Sequence, residues 1–157
     1  MNKYISLFLI NLLFICCTPN ETNNQNLKPL KSYQFNISEL EFYNEINQFR
    51  SSLNLAILTL DEHISAVSED HNNFMIEQNK LTHHNFLKRS QHLKETLNVS
   101  HVSENLAFNI NSTYAVLNAW INSENHFKNL TGKYNKIGIS IRFNTENKPF
   151  YTVIFTR

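Results

Sequence analysis

Apolar residues recur along the chain at helical spacing in some stretches and at strand spacing in others, and this change of period divides it into elements. Phe42, Ile46, Phe49 and Leu53 follow at intervals of four, three and four, which makes one stripe of an amphipathic helix. Ser38-Glu39-Leu40-Glu41 sets a hydroxyl three residues ahead of a glutamate, the spacing of a capping box, so the helix is predicted to begin there. Thr59-Leu60-Asp61-Glu62 repeats that spacing before a second helix reaching about Lys80, with Ile64, Val67, His71, Phe74 and Gln78 along one face. From His101 to Ile110 the period falls to two: Val102, Glu104, Leu106, Phe108 and Ile110 share one face of a strand with one buried side. Ser112 or Thr113 can cap a third helix carrying Val116, Leu117, Trp120 and Ile121, up to Ser123. Ile137, Ile139, Ile141 and Phe143 alternate with polar or small residues as a second half-buried strand, and Asn144 to Pro149 reads as a turn. Phe150 to Phe155 is apolar on both parities, as in a central strand covered on both faces. Together these predict an α+β fold in which helices flank a small, mostly antiparallel sheet.

The N-terminus carries a different pattern. Lys3 is followed by an almost unbroken apolar run, Ile5 to Ile15, of about a dozen residues where roughly 20 are needed to span a bilayer. This reads as a signal peptide rather than a retained span. The run stops at Cys16-Cys17, followed by the polar stretch Thr18-Pro19-Asn20-Glu21, and so resembles a bacterial lipoprotein signal. The acylated cysteine of such signals follows a small residue, which favours Cys17 over Cys16. Two or three acyl chains on Cys17 would anchor the protein stably to a membrane of the bacterial envelope, periplasmic or surface-exposed. The expected division is a signal segment at 1–16, a flexible tether at 17–34 and one folded domain at 35–157.

Composition narrows the possibilities further. A chain of 157 residues supports one core, and 14 basic against 13 acidic residues leave a formal charge of +1 with no basic run to hold nucleic acid. With no cysteine beyond Cys16 and Cys17, the folded domain has no disulfide and must be held by packing. Asparagine is abundant, at 25 residues, and its five Asn-x-Ser/Thr sequons follow from that abundance.

Glu104 is the most informative position, because alternation places its carboxylate among Val102, Leu106, Phe108 and Ile110. A buried charge there requires a cation, a metal or several hydrogen-bond donors. Seven histidines are candidate partners, none at a compact metal-ligand spacing. His71 on its apolar helix face reads as a hydrogen-bonded core residue. His63, His92 and His101 read as surface residues, and one of the adjacent pair His83-His84 should face solvent.

The order of these motifs resembles the CAP superfamily of cysteine-rich secretory, antigen 5 and pathogenesis-related 1 proteins, in its bacterial, disulfide-free branch. The resemblance rests on Ile46-Asn47-Gln48-Phe49-Arg50, Leu60-Asp61, Ala66 with His71, Leu81-Thr82-His83, Glu104-Asn105-Leu106-Ala107, Trp120 to His126, and Ile137-Gly138-Ile139. It implies a three-layer α-β-α sandwich with a cleft lined by His83, Glu104, Ser123 and His126. Ser123 stands where many eukaryotic members have a second glutamate, Phe127 stands where an arginine is usual, and the late Gly-His-Tyr-Thr motif is absent. Ser123 itself reads as a cap for the turn after Trp120 rather than as the partner of His126.

The resemblance implies an envelope binding module whose cleft takes up a lipid, peptide or glycan. Two imidazoles and a carboxylate are also suitable Zn²⁺ ligands, so His83, Glu104 and His126 could hold a zinc ion, and a metal-dependent, peptidase-like hydrolase is the alternative. Whether the protein is an enzyme stays open at this point. If Glu104 lies beside His83 and His126, both imidazoles should bind a proton more readily than usual.

Overall fold

The structure is a computed structural model that describes residues 29–157. The signal segment, Cys16, Cys17 and the tether up to residue 28 lie outside the described residues. The elements in chain order are α1 (Ile37–Ser52), β1 (Thr59–Leu60), α2 (Glu62–Glu77), α3 (Phe86–Leu97), β2 (Val102–Phe108), α4 (Thr113–Ile121), α5 (Glu124–Thr131), β3 (Lys136–Phe143) and β4 (Pro149–Thr156). The strands form one mixed sheet in the order β1-β3-β4-β2. β1 runs parallel to β3, and the other pairs are antiparallel. β4 is the central strand that its apolar run predicts.

The sheet separates two layers. Ile137, Ile139, Ile141, Tyr151, Val153 and Phe155 pack with Phe42 and Ile46 of α1, Val116 and Trp120 of α4 and Leu130 of α5. On the opposite face Ile154 packs with Ile64 and Val67 of α2 and Leu93 of α3, and Phe150 and Leu106 pack with Met75. α1, α4 and α5 therefore cover one face and α2 and α3 the other, the α-β-α arrangement.

Covering both faces corrects two strand expectations. β2 buries Asn105 and Ala107 as well as Glu104 and Leu106, because α4 and α5 lie over its second face. β3 buries Gly138 and Ser140 against α2 in addition to its isoleucines, while Phe143 is exposed. A Cβ at Gly138 would lie 2.4 Å from the Ile64 backbone, so only glycine permits this helix–sheet approach. Helices α3 and α5 were not anticipated. Phe86, Ser90, Leu93 and Leu97 do share a helical stripe, but only two of the four are fully buried.

The helix starts also differ. Asn36, not Ser38, caps α1: its Oδ1 accepts from Glu39 N–H and the Glu39 carboxylate accepts from Asn36 N–H, both at 2.9 Å. Glu39 is held at that position because its Oε1 also accepts from Ile141 N–H, closing the edge of β3 beyond β1. Asp61 rather than Thr59 caps α2, since the Thr59 backbone is committed to β1.

The asparagine content acquires a structural reason. Six described residues other than glycine have positive φ, and all six are asparagine: Asn54, Asn79, Asn85, Asn98, Asn109 and Asn147. Asparagine tolerates the left-handed region better than other residues with a Cβ, which suits a chain with two glycines. Asn98 ends α3 at φ 52°. Replacing it with alanine should cost about 1–2 kcal/mol and lower the thermal midpoint, whereas Asn98→Gly should leave stability within a few tenths of a kcal/mol; differential scanning calorimetry distinguishes the two.

Candidate functional site

β2 is an edge strand, so residues at its middle are reached from both layers. Glu104 points into the α2–α3 layer with its side chain 1% exposed. Its charge is met by Arg89 of α3, a residue that strand periodicity cannot reveal. Arg89 Nε donates to Oε2 at 3.0 Å and Nη2 to Oε1 at 2.9 Å, a two-pronged guanidinium–carboxylate pair. Arg89 Nη1 donates to the His84 carbonyl at 2.7 Å, which ties the loop before α3 to the pair. Arginine was discoverable: it lies three residues after Phe86 on the buried stripe of α3, where a cation needs an acid.

His83 joins this pair through Nδ1, 2.8 Å from Glu104 Oε1. A carboxylate partner selects the tautomer with Nδ1–H, so the acceptor nitrogen Nε2 is the free one. The imidazole is 56% exposed, so the buried acid orients a surface base. His71 supports the same loop from beneath: buried on α2, it donates Nε2–H to the Thr82 carbonyl at 2.8 Å and lies 3.9 Å from Glu104. Burial pushes its pKa below 6.5. His71 is thus the hydrogen-bonded core residue expected, and it positions the peptide that carries His83.

The α5 side is built differently. His126 Nδ1 is 2.8 Å from Ser123 Oγ, and its ring stacks on Trp120 with centroids 5.9 Å apart. Ser123 occupies the cap position of α5 but makes no capping hydrogen bond through its side chain, so the expected cap is instead a Ser–His pair. His126 also departs from expectation in charge. Its pKa is lowered, first by burial and then by His83, because its hydrogen-bond partner is a hydroxyl rather than Glu104. The four expected residues thus form two bonded pairs, His83–Glu104 and Ser123–His126. The pairs are stapled at the backbone: Asn105 Nδ2 donates to the His126 carbonyl at 3.1 Å and Asn129 Nδ2 to the Glu104 carbonyl at 3.3 Å.

Beside Arg89 opens a hollow of about 180 Å³ lined by Asp70, His71, Phe74, His84, Asn85 and Arg89. It shares Phe74 and His84 with a groove of about 340 Å³ lined also by Gln78, Lys80 and Thr82. His71, Phe74 and His84 stack in near-parallel planes, at 12° and 15°, and form its aromatic wall.

The model of the cysteine-rich secretory protein (CAP) family matches residues 43–155. The chain belongs to the CAP family. Among solved structures it is similar to an outer surface protein of Borrelia burgdorferi, at 26% identity and a TM-score of 0.70 over 81% of this chain and 98% of that one. It is also similar to an extracellular protein of Bacillus anthracis containing an SCP domain, at 26% identity and a TM-score of 0.67, covering 76% of this chain and 40% of that one. A cysteine-rich secretory protein of Staphylococcus aureus shares the fold at 16% identity and a TM-score of 0.64, covering 76% of this chain and 38% of that one. This chain therefore spans about two fifths of the Bacillus and Staphylococcus proteins. No curated protein matches it.

The CAP motifs now have structural meaning. Asn47 clamps Leu58 through both its donor and its acceptor, at 3.0 and 2.8 Å. Arg50 is buried and donates to the Ala56, Leu130 and Gly132 carbonyls, while Trp120 Nε1 donates to the Leu106 carbonyl. His83, Glu104 and His126 are each hydrogen-bonded within the domain. A zinc site needs lone pairs from several side chains converging on one point. Here Arg89 engages both oxygens of Glu104, the two histidine Nδ1 atoms are occupied, and no three His, Cys, Asp or Glu side chains converge among the described residues.

Because Glu104 is buried and Arg89 is its main cation, with side chains 1% and 12% exposed, Arg89→Met should destabilise the fold by about 3 kcal/mol or more by stranding Glu104. Adding Glu104→Gln should restore part of that loss. A double-mutant cycle in urea measures the coupling, expected to exceed 1 kcal/mol.

Proposed function

We propose that this CAP domain is an envelope-anchored binding module that displays a fixed polar cleft, rather than a hydrolase. The supporting observation is the closure of Glu104 by Arg89. A carboxylate held by a two-pronged guanidinium is committed, and neither a hydrolytic base nor a metal ligand is left in it. What remains available is a surface: a groove with the aromatic wall of Phe74 and His84 and the cation of Lys80, and, on the loop that supplies His84, the oriented Nε2 of His83. Such a wall beside a few fixed polar atoms suits a small lipid, peptide or glycan. The lipoprotein-like Cys17 and the outer-surface and extracellular character of the similar Borrelia and Bacillus proteins support placement at the cell envelope.

Three experiments test this. Calorimetric titration with Zn²⁺ should show no stoichiometric uptake; one-to-one uptake lost on Glu104→Gln would restore the metal-dependent reading. In a ¹⁵N-labelled chain titrated with muropeptide, tetrapeptide and lysophosphatidylglycerol, one of the three should shift signals at Phe74, His83 and His84. Shifts confined to other faces would refute the cleft. For anchoring, a palmitate analogue should label the wild-type chain but not Cys17→Ser in the native host, and label retained on the variant would move acylation elsewhere.

A further inference from the structure

Residues 29–34 close the expected tether, yet they lie against α2 rather than apart from the body. Lys31 N–H donates to His63 Nδ1 at 2.9 Å, and Lys31 Nζ pairs with Asp70 at 2.5 Å. Tyr33 N–H reaches Glu62 at 3.3 Å. Tyr33 is fixed more firmly: its hydroxyl donates to Glu39 at 2.6 Å and accepts from Arg142 Nη2 at 2.8 Å. The segment therefore has an anchor at Tyr33 and a lighter hold at Lys31.

His63 is the unusual part of that hold. Expected at the surface, it is only 3% exposed, enclosed by the arm, α2 and α3. Its tautomer is fixed by a chain of hydrogen bonds. Thr96 Oγ1 gives its proton to the His92 carbonyl at 2.8 Å, so toward His63 Nε2, at 3.3 Å, it can act only as acceptor. Nε2 therefore carries the proton and Nδ1 presents the lone pair that receives Lys31 N–H. A second proton could enter only at Nδ1, the atom that holds the arm.

We propose that His63 is an acid-release latch for the segment joining the CAP domain to its N-terminal tether: protonation of Nδ1 turns the acceptor into a donor facing Lys31 N–H and frees residues 29–32 while Tyr33 stays anchored. The groups facing the imidazole are Lys31 on the arm, Asp61 and Asp70 on α2, and His92 on α3, whose ring lies 5.3 Å away. Burial, then His92, push the pKa of His63 below 6.5, with Lys31 acting the same way and the two aspartates opposing. The sign follows: a group whose folded pKa is depressed favours the docked state above its unfolded value near 6.5, and this preference is lost as pH falls through the folded value. Release would add four residues, roughly 13 Å, to the reach of the tether. The release itself is independent of the proposed ligand, whereas the gain in reach rests on the proposed anchoring at Cys17.

The test uses the ¹⁵N-labelled full chain in detergent, recording backbone heteronuclear NOEs and imidazole nitrogen shifts from pH 7.5 to 4.5. Residues 30–32 should be as rigid as the body at pH 7.5 and lose their NOE with the midpoint at which His63 protonates, with Tyr33 unchanged. His63→Leu should free them at every pH, and His92→Gln should keep the transition and move it to higher pH. Rigid residues 30–32 after His63 has protonated, or a neutral His63 at pH 4.5 in a folded chain, would overturn the latch, as would a transition that disappears in His92→Gln. If His63→Leu fails to fold, the wild-type titration decides alone.

Discussion

The site is organised by one requirement: a carboxylate placed inside the fold on edge strand β2 must have its charge met. Arg89 meets it with two parallel hydrogen bonds, and the rest follows from holding that guanidinium in place. α3 must lie along β2 to present the arginine, and the 82–85 loop must turn so that the His84 carbonyl receives its remaining nitrogen. His83 then falls where Glu104 orients it. The exposed imidazole is thereby fixed by groups that solvent does not reach.

The same device recurs elsewhere in a domain without disulfides. Glu39, fully buried, receives Ile141 N–H, Tyr33 and Arg142, which also pairs with Glu69. Arg50 gathers three carbonyls, one from the loop after α1 and two from the end of α5. Asn72 bridges β3 and β4 by donating to the Ser140 carbonyl and accepting from Thr152. Side chains with several donors or acceptors thus cross-link elements at points where backbone groups would otherwise be buried unpaired, each such failure costing about 1–3 kcal/mol. The Glu39 cluster is closed by the N-terminal arm, whereas the Glu104 cluster opens to the surface through His83, and only the latter adjoins an aromatic groove.

How much of this was legible depended on whether one residue's neighbours in sequence are also its neighbours in space. Alternation alone placed Glu104 inside, and apolar residues on both parities placed β4 at the centre. The order of motifs brought out the family. Arg89 escaped because its partner is 15 residues away on another element, and the only local hint was its place on the stripe of a helix that sequence periodicity had not picked out. His63 escaped for a related reason: its enclosure is made by the arm and α3, and neither is visible in the helical stripe of α2. The capping boxes were misplaced by two residues at each helix because the decisive pull came from β1 and β3. Ser123 was legible as a cap position, but not that His126 would engage its hydroxyl.

For function, the consequence is a CAP domain in which the Glu104 carboxylate is paired with Arg89 through both oxygens. On the proposed function, that pairing sets aside chemistry that needs a free carboxylate and leaves recognition by a preset surface. The most direct measurement is the NMR signal of the Arg89 guanidinium in the ¹⁵N-labelled chain near neutral pH. A resolved Arg89 Nε–H resonance, protected from exchange and displaced on Glu104→Gln, is the predicted result. An Arg89 Nε–H exchanging at the rate of a free surface arginine, unaffected by that substitution, would contradict the account.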